Sequence, residues 1–271
     1  MTEADRRSSI GEALDILMQA SGEIATALLS ANPAPGSPMA SLLDGKSLAE
    51  CPAAAMIFHH RVAAADHVRA FLLLTEVDRT FATSTAALVR AGIESFARGW
   101  WLLRSESPAE IRHKGALAVA EELRAAGKRG IRMRDPDLEI DAALARAEED
   151  LSAASSGRPT LRLPGYSTLA VELLEASGTS EARATYAHLS GIAHGEVTFT
   201  TGLGANPAAR PGELDWLELP DHNFQHYALT LYAVNMHFMD VLVRSWGLSD
   251  ITETWSAVLR ASIEGLARAK E

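Results

Sequence analysis

The stretch "LVRAGIESFARGWWLL", residues 88–103, decides the fold. Leu, Val, Ile, Phe, Trp and Ala occupy it at almost every helical angle, and a helix that is apolar all round has to be enclosed by other helices. The segment Thr80 to Leu103 is therefore predicted to be the central helix of a bundle. Three charges recur on it every four residues: Arg90, Glu94 and Arg98. Interior charges are costly unless they pair with one another or with a ligand. Arg90 and Glu94 can pair across one turn, which leaves a surplus positive charge facing inward. Two readings stay open. Glu76 and Asp78 on the preceding helix can complete a structural charge network. Alternatively, Arg90 or Arg98 holds a phosphate in its planar fork while Glu94 orients an arginine or a histidine.

The neighbouring segments also carry the helical period. In "SIGEALDILMQASGEIATALLSAN", residues 9–32, Ile10, Leu14, Leu17, Ile24 and Leu28 share a face from which Glu12, Asp15 and Glu23 are absent. "NPAPGSP", 32–38, interrupts with three prolines, and a helix from Pro52 to Arg79 precedes the central one. "SESPAEIRHKGALAVAEELRAAGK", 105–128, starts with Ser107 as N-cap, Pro108 in the first turn and Glu110 as reciprocal capping carboxylate, and it is expected to stop at Gly127. A helix over 137–154 follows, then a loop over 155–167. The next helix begins near Thr179 or Ser180. After Gly195, "VTFTTGLG" has strand-like character, and 195–220 reads as a long Pro/Gly-rich connection that can fold over the end of the preceding helix. Asp221 or its neighbour caps a helix through Trp246, and a last helix runs from Ser249 to Ala269. The expectation is an all-α helical bundle, one domain over 1–271, with loops at 32–38, 155–167 and 195–220.

Composition narrows the function. The 271 residues are 47% hydrophobic and 22% charged, enough for a sizeable core. No apolar run reaches membrane-span length, so no membrane partner and a cytoplasmic location are expected. Cys51 is the single cysteine, which rules out an intrachain disulfide and a multi-cysteine zinc site. A formal net charge of -10 repels polyanions, so no DNA partner is expected and any RNA contact has to be local. "GKRGIRMRD", with Lys128, Arg129, Arg132 and Arg134, is the strongest local basic candidate, and a solvated loop is the simpler reading of it.

"RATYAHLSGIAHG", 183–195, is the second segment able to carry chemistry. Arg183, Tyr186, Ser190 and His194 form one broad stripe, whereas His188 lies far round the axis from Arg183. Gly195 reads as the C-terminal cap, which sets His194 at the negative end of the helix dipole, where a charged ring is favoured.

Two resemblances rest on these residues. The Arg90-x3-Glu94 helix with its Trp100 to Leu103 run, followed by Tyr186, Ser190 and His194, resembles a widespread bacterial helical family. Arg183 to His188, R-A-T-Y-A-H, is similar to the Arg-x4-6-His pattern of HEPN proteins, which include metal-independent ribonucleases; Ala184 stands where active members commonly carry a polar residue. The resemblance implies a homodimer that brings two such helices together. It also implies acid–base exchange by His188 with a ribose 2′-hydroxyl or the leaving oxygen, and charge stabilisation by Arg183. No metal or cofactor is implied. Candidate catalytic residues are thus Arg183, Tyr186, His188 and His194, with Arg90, Glu94, Arg98 and Ser190 as ligand-binding candidates acting on RNA or a nucleotide. A non-catalytic anion- or nucleotide-binding partner module is the first alternative. A metal enzyme built on His59, His60, His67 or the His222/His226 pair is the second, although no Glu-x-x-His pair supports it. Trp100, Trp101, Trp246 and Trp255 read as core or interface aromatics.

Overall fold

The structure is a computed structural model that describes residues 3–75, 81–130, 139–155, 161–201, 203 and 217–268. Among the described residues it is all-α: α1 (Glu3–Ser30), α2 (Pro38–Leu43), α3 (Pro52–Thr75), α4 (Ala82–Leu103), α5 (Pro108–Lys128), α6 (Ile140–Ser155), α7 (Tyr166–Ala176), α8 (Ala182–Ala193), α9 (Val197–Thr200), α10 (Asp221–Trp246) and α11 (Ser249–Arg268). No described helix is long and apolar enough to cross a membrane.

Local chemistry accounts for several starts. Ser37 and Ser107 each accept a backbone N–H from inside the first turn, of Ala40 and Glu110, and Pro38 and Pro108 occupy the position where no N–H is needed. The Glu110 carboxylate reaches the backbone N–H of Glu106 rather than that of Ser107, and its other oxygen binds Lys114. Proline 38 thus opens a helix instead of belonging to the break. α5 runs past Gly127 and ends before left-handed Gly130.

The central-helix expectation holds. α4 packs on α3, α5, α7, α8 and α10, and Val89, Ile93, Phe96 and Ala97 are fully buried. Its start is pinned by an isolated antiparallel bridge between Phe81 and Glu218 and by the Ala82 N–H donating to the Leu217 carbonyl. The expected face of α1 is buried as a set and packs on α10 and α11. Trp100, Trp101, Trp246 and Trp255 are all core residues.

Two element assignments fail. Residues 166–176, partly assigned to a loop and otherwise left without an element, form α7, whose Leu169, Ala170, Leu173 and Leu174 are completely buried. The strand-like "VTFT" is a helical turn, because the N–H groups of Phe199 and Thr200 donate to Glu196 and no second strand is present among the described residues to pair with it. Glu76, Asp78, Arg132, Arg134 and most of the 195–220 connection lie outside the described residues.

Close helix contact makes one glycine decisive. A Cβ on Gly115 of α5 would stand 2.4 Å from the Ala53 Cβ and 2.8 Å from its Cα, at the start of α3. Gly115→Ala is expected to destabilise the protein by about 1–3 kcal/mol despite the better helix propensity of alanine. Gly11→Ala, with open space around the new methyl, should stabilise by about 0.5–1 kcal/mol. Urea unfolding of both variants checks the pair, and equal effects at the two sites would contradict the close packing of α3 on α5.

Candidate functional site

The charge stripe of α4 meets the polar stripe of α8 at one place. The Arg90 Nε–H donates to Glu94 Oε1 at 2.7 Å, the ion pair expected along the helix. Tyr186, one turn into α8, donates its hydroxyl to the same oxygen at 2.6 Å. Arg90 also places Nη1 2.7 Å from His194 Nε2, closing a contact between residues 104 positions apart. Its guanidinium lies near the face of the Tyr186 ring, 5.8 Å from the centroid. Helix α8 supplies these groups because Leu189 and Ile192 anchor it in the core while the polar residues follow the edge of that face.

The helix end sets His194. The C-terminal cap expected at Gly195 is present, with φ +67°, and the N–H of His194 donates to the Ser190 carbonyl. Ser190, half-buried, thus supports the histidine through its backbone. A guanidinium only donates, so Nε2 accepts and the ring proton stands on Nδ1.

Electrostatics reinforce the cluster. Burial works against the Arg90 charge, but the hydrogen bond and charge of Glu94 outweigh it and hold the guanidinium above its ordinary value. Burial, followed by the Glu94 carboxylate, pushes the Tyr186 hydroxyl up, so it stays protonated and keeps donating. Arg90 and Glu94 remain partly open to solvent, and His194 is exposed. A ligand can reach the cluster from outside.

The other expected pair diverges. Arg183 is exposed and borders a shallow hollow with Glu175, Thr179 and Glu181. His188 turns toward α10, where the Asn223 Nδ2 lies 3.2 Å from its Nε2 and the rings of Phe199 and Tyr227 flank it. Burial and then the neighbouring His226 hold His188 below the usual imidazole range. Among the described residues, Arg183 and His188 make no hydrogen bond or ring contact with each other. Phe199 closes on this corner because Gly191 has no side chain; a Cβ there would come within 2.1 Å of its ring.

Arg98 does not join the Arg90 cluster. It is buried, with its guanidinium carbon 4.0 Å from the centroid of the Tyr166 ring, and its Nε and Nη1 have no hydrogen-bond partner among the described residues. His60 of α3 lies in its field and is drawn down to about 4, by burial first and by Arg98 second. Sequence reasoning named His60 only as a metal candidate and did not single out Tyr166 or Asn223. The four-residue step from Glu94 to Arg98 marked the arginine, but nothing in the sequence marked its neighbours on α3 and α7. Among the described residues, no three His, Cys, Asp or Glu side chains converge on a point that could hold a metal ion.

No protein-family model, curated protein or solved structure matches the chain.

Proposed function

We propose that the α4–α8 face acts on an RNA phosphodiester or a nucleotide phosphate without a metal, the reaction class that the HEPN resemblance implies for Arg183 and His188, with the alternative set Arg90, Glu94, Tyr186 and His194 as its working residues. The observation that carries this reading is Arg90 held between Glu94 Oε1 and His194 Nε2, 2.7 Å from each. A phosphate reaching the site displaces the arginine–histidine bond: its oxygens take the Nη1 donor, and Nε2 is released as a base. His194 then removes the ribose 2′-hydroxyl proton, the 2′-oxygen attacks phosphorus, and the 5′-oxygen leaves with a proton delivered from the imidazolium or from water. The products are a 2′,3′-cyclic phosphate and a 5′-hydroxyl. Arg90 stabilises the added charge on phosphorus-bound oxygen, and Glu94 with Tyr186 keeps the arginine aimed. The same reading carries a homodimer, which sedimentation at several protein concentrations tests.

The test is incubation of a mixed-sequence RNA with chelator-treated protein whose metal content has been measured. Cleavage that resists the chelator, leaves cyclic phosphate ends and is lost in Arg90→Ala is expected. Chelator-sensitive cleavage with bound metal would instead support a metal enzyme. Absence of cleavage, together with thermal stabilisation by a mononucleotide that Arg90→Ala abolishes, would support the non-catalytic binding module.

A further inference from the structure

Helix α7 begins without a side-chain cap. Gly165 stands at its N-cap, so the first N–H groups, those of Tyr166, Ser167 and Thr168, receive no side-chain acceptor from that position. The first turn of an eleven-residue helix carries a partial positive charge. Tyr166, the first residue of this turn, carries Arg98 over its ring, with the guanidinium carbon 4.0 Å from the centroid; Arg98 is 6% exposed, and its Nε and Nη1 have no hydrogen-bond partner among the described residues. A buried guanidinium beside the positive end of a helix is unfavourable on both counts, since the like charges repel and the unpaired donors lose their hydration. Of the two acids on the same helix, Glu172 is engaged with Arg104 at the far end of α4, and Glu175 stands in the last turn. His60 adds no charge, because burial and Arg98 keep it neutral at pH 7.

We infer that the first turn of α7 and Arg98 together form a binding site for a phosphate-class oxyanion, separate from the Arg90 cluster. An oxyanion there accepts from the helix N–H groups and from the arginine, and the hydroxyls of Ser167 and Thr168 stand in the same turn. Tyr166, half-exposed, is the side chain that has to move for the anion to reach the guanidinium edge. The site does not rest on the proposed phosphodiester chemistry. Its phosphate can be free or part of a nucleotide.

The test follows thermal unfolding of the full chain in inorganic phosphate, and separately in a nucleoside 5′-monophosphate, against sodium chloride of equal ionic strength. Wild type is expected to gain about 3 °C or more in Tm at saturating phosphate. Because the Arg90 cluster can also take a phosphate, the α7 site is read in the Arg90→Ala protein: that variant should keep a gain, and adding Arg98→Met to it should abolish the gain. A larger gain with the nucleotide places the phosphate on an organic ligand, and equal gains identify free phosphate; both support the site. Gly165→Asp provides a second route that does not touch the buried charge, since the N-cap backbone is extended and a new Cβ meets nothing within 4 Å. Its carboxylate should raise Tm without phosphate and, in the Arg90→Ala protein, abolish the response to it. A phosphate response lost in Arg90→Ala but retained in Arg98→Met and Gly165→Asp, or no response in wild type, overturns the inference.

Discussion

His194→Ala is expected to lower the proposed RNA cleavage by about 100-fold or more, the usual contribution of a positioned acid–base group, while leaving stability within about 0.5 kcal/mol of wild type. The side chain is exposed at the end of α8 and bonds to Arg90. Removing it therefore deprives the site of its proposed base without opening the core. His188→Ala should do the reverse. That ring packs between Phe199 and Tyr227 and meets Asn223, so its loss should cost about 1–2 kcal/mol while the folded protein still cleaves. Initial rates and urea unfolding on the same two preparations separate the cases. A silent His188→Ala protein beside an active His194→Ala protein would move the chemistry to the Arg183/His188 pair.

Acidification from pH 6.5 to about 4 is expected to remove about 3 kcal/mol of stability through His60 alone. The folded ring is held neutral down to about 4, by burial and then by the Arg98 charge, whereas an unfolded imidazole takes its proton near 6.5. Above 6.5 neither state binds the proton and the stability is complete. Between the two values the unfolded chain binds it and the folded chain does not, so stability falls as pH falls; below about 4 both bind it and the loss stops. His188 and His226 are also depressed by burial and add in the same direction. Urea unfolding at half-unit pH steps should show this slope, and His60→Gln should flatten much of it. Identical pH profiles for the two proteins would mean that His60 does not carry the linkage.

Much of this architecture is readable one helix at a time. The all-round apolar 88–103 segment announced its central place, the Ser37 and Ser107 starts rest on residues within the same turn, and the α1 stripe follows from period alone. α7 escaped notice because it opens on Gly165 without a capping side chain and its eleven residues follow a Pro/Gly-rich run. "VTFT" misled in the opposite direction: β-branched and aromatic residues suit a strand, but a strand needs a partner, and here Glu196 and Gly191 offered a helical turn and a seat for Phe199.

The site divides along the same line. By itself the sequence determined which helices carry charge on an apolar background, that Arg90 and Glu94 would pair, and that His194 would stand at a helix end. All of these depend on residues within a few positions of one another, where the 3.6-residue period dictates geometry. Only the tertiary structure decided that Glu94 serves Tyr186 as well as Arg90, that Arg90 reaches His194, that His188 turns toward α10 instead of joining Arg183, and that Arg98 meets the first turn of α7. Those contacts join residues tens of positions apart, and they are set by how α4 seats against α3, α7 and α8, a packing choice made by the whole core.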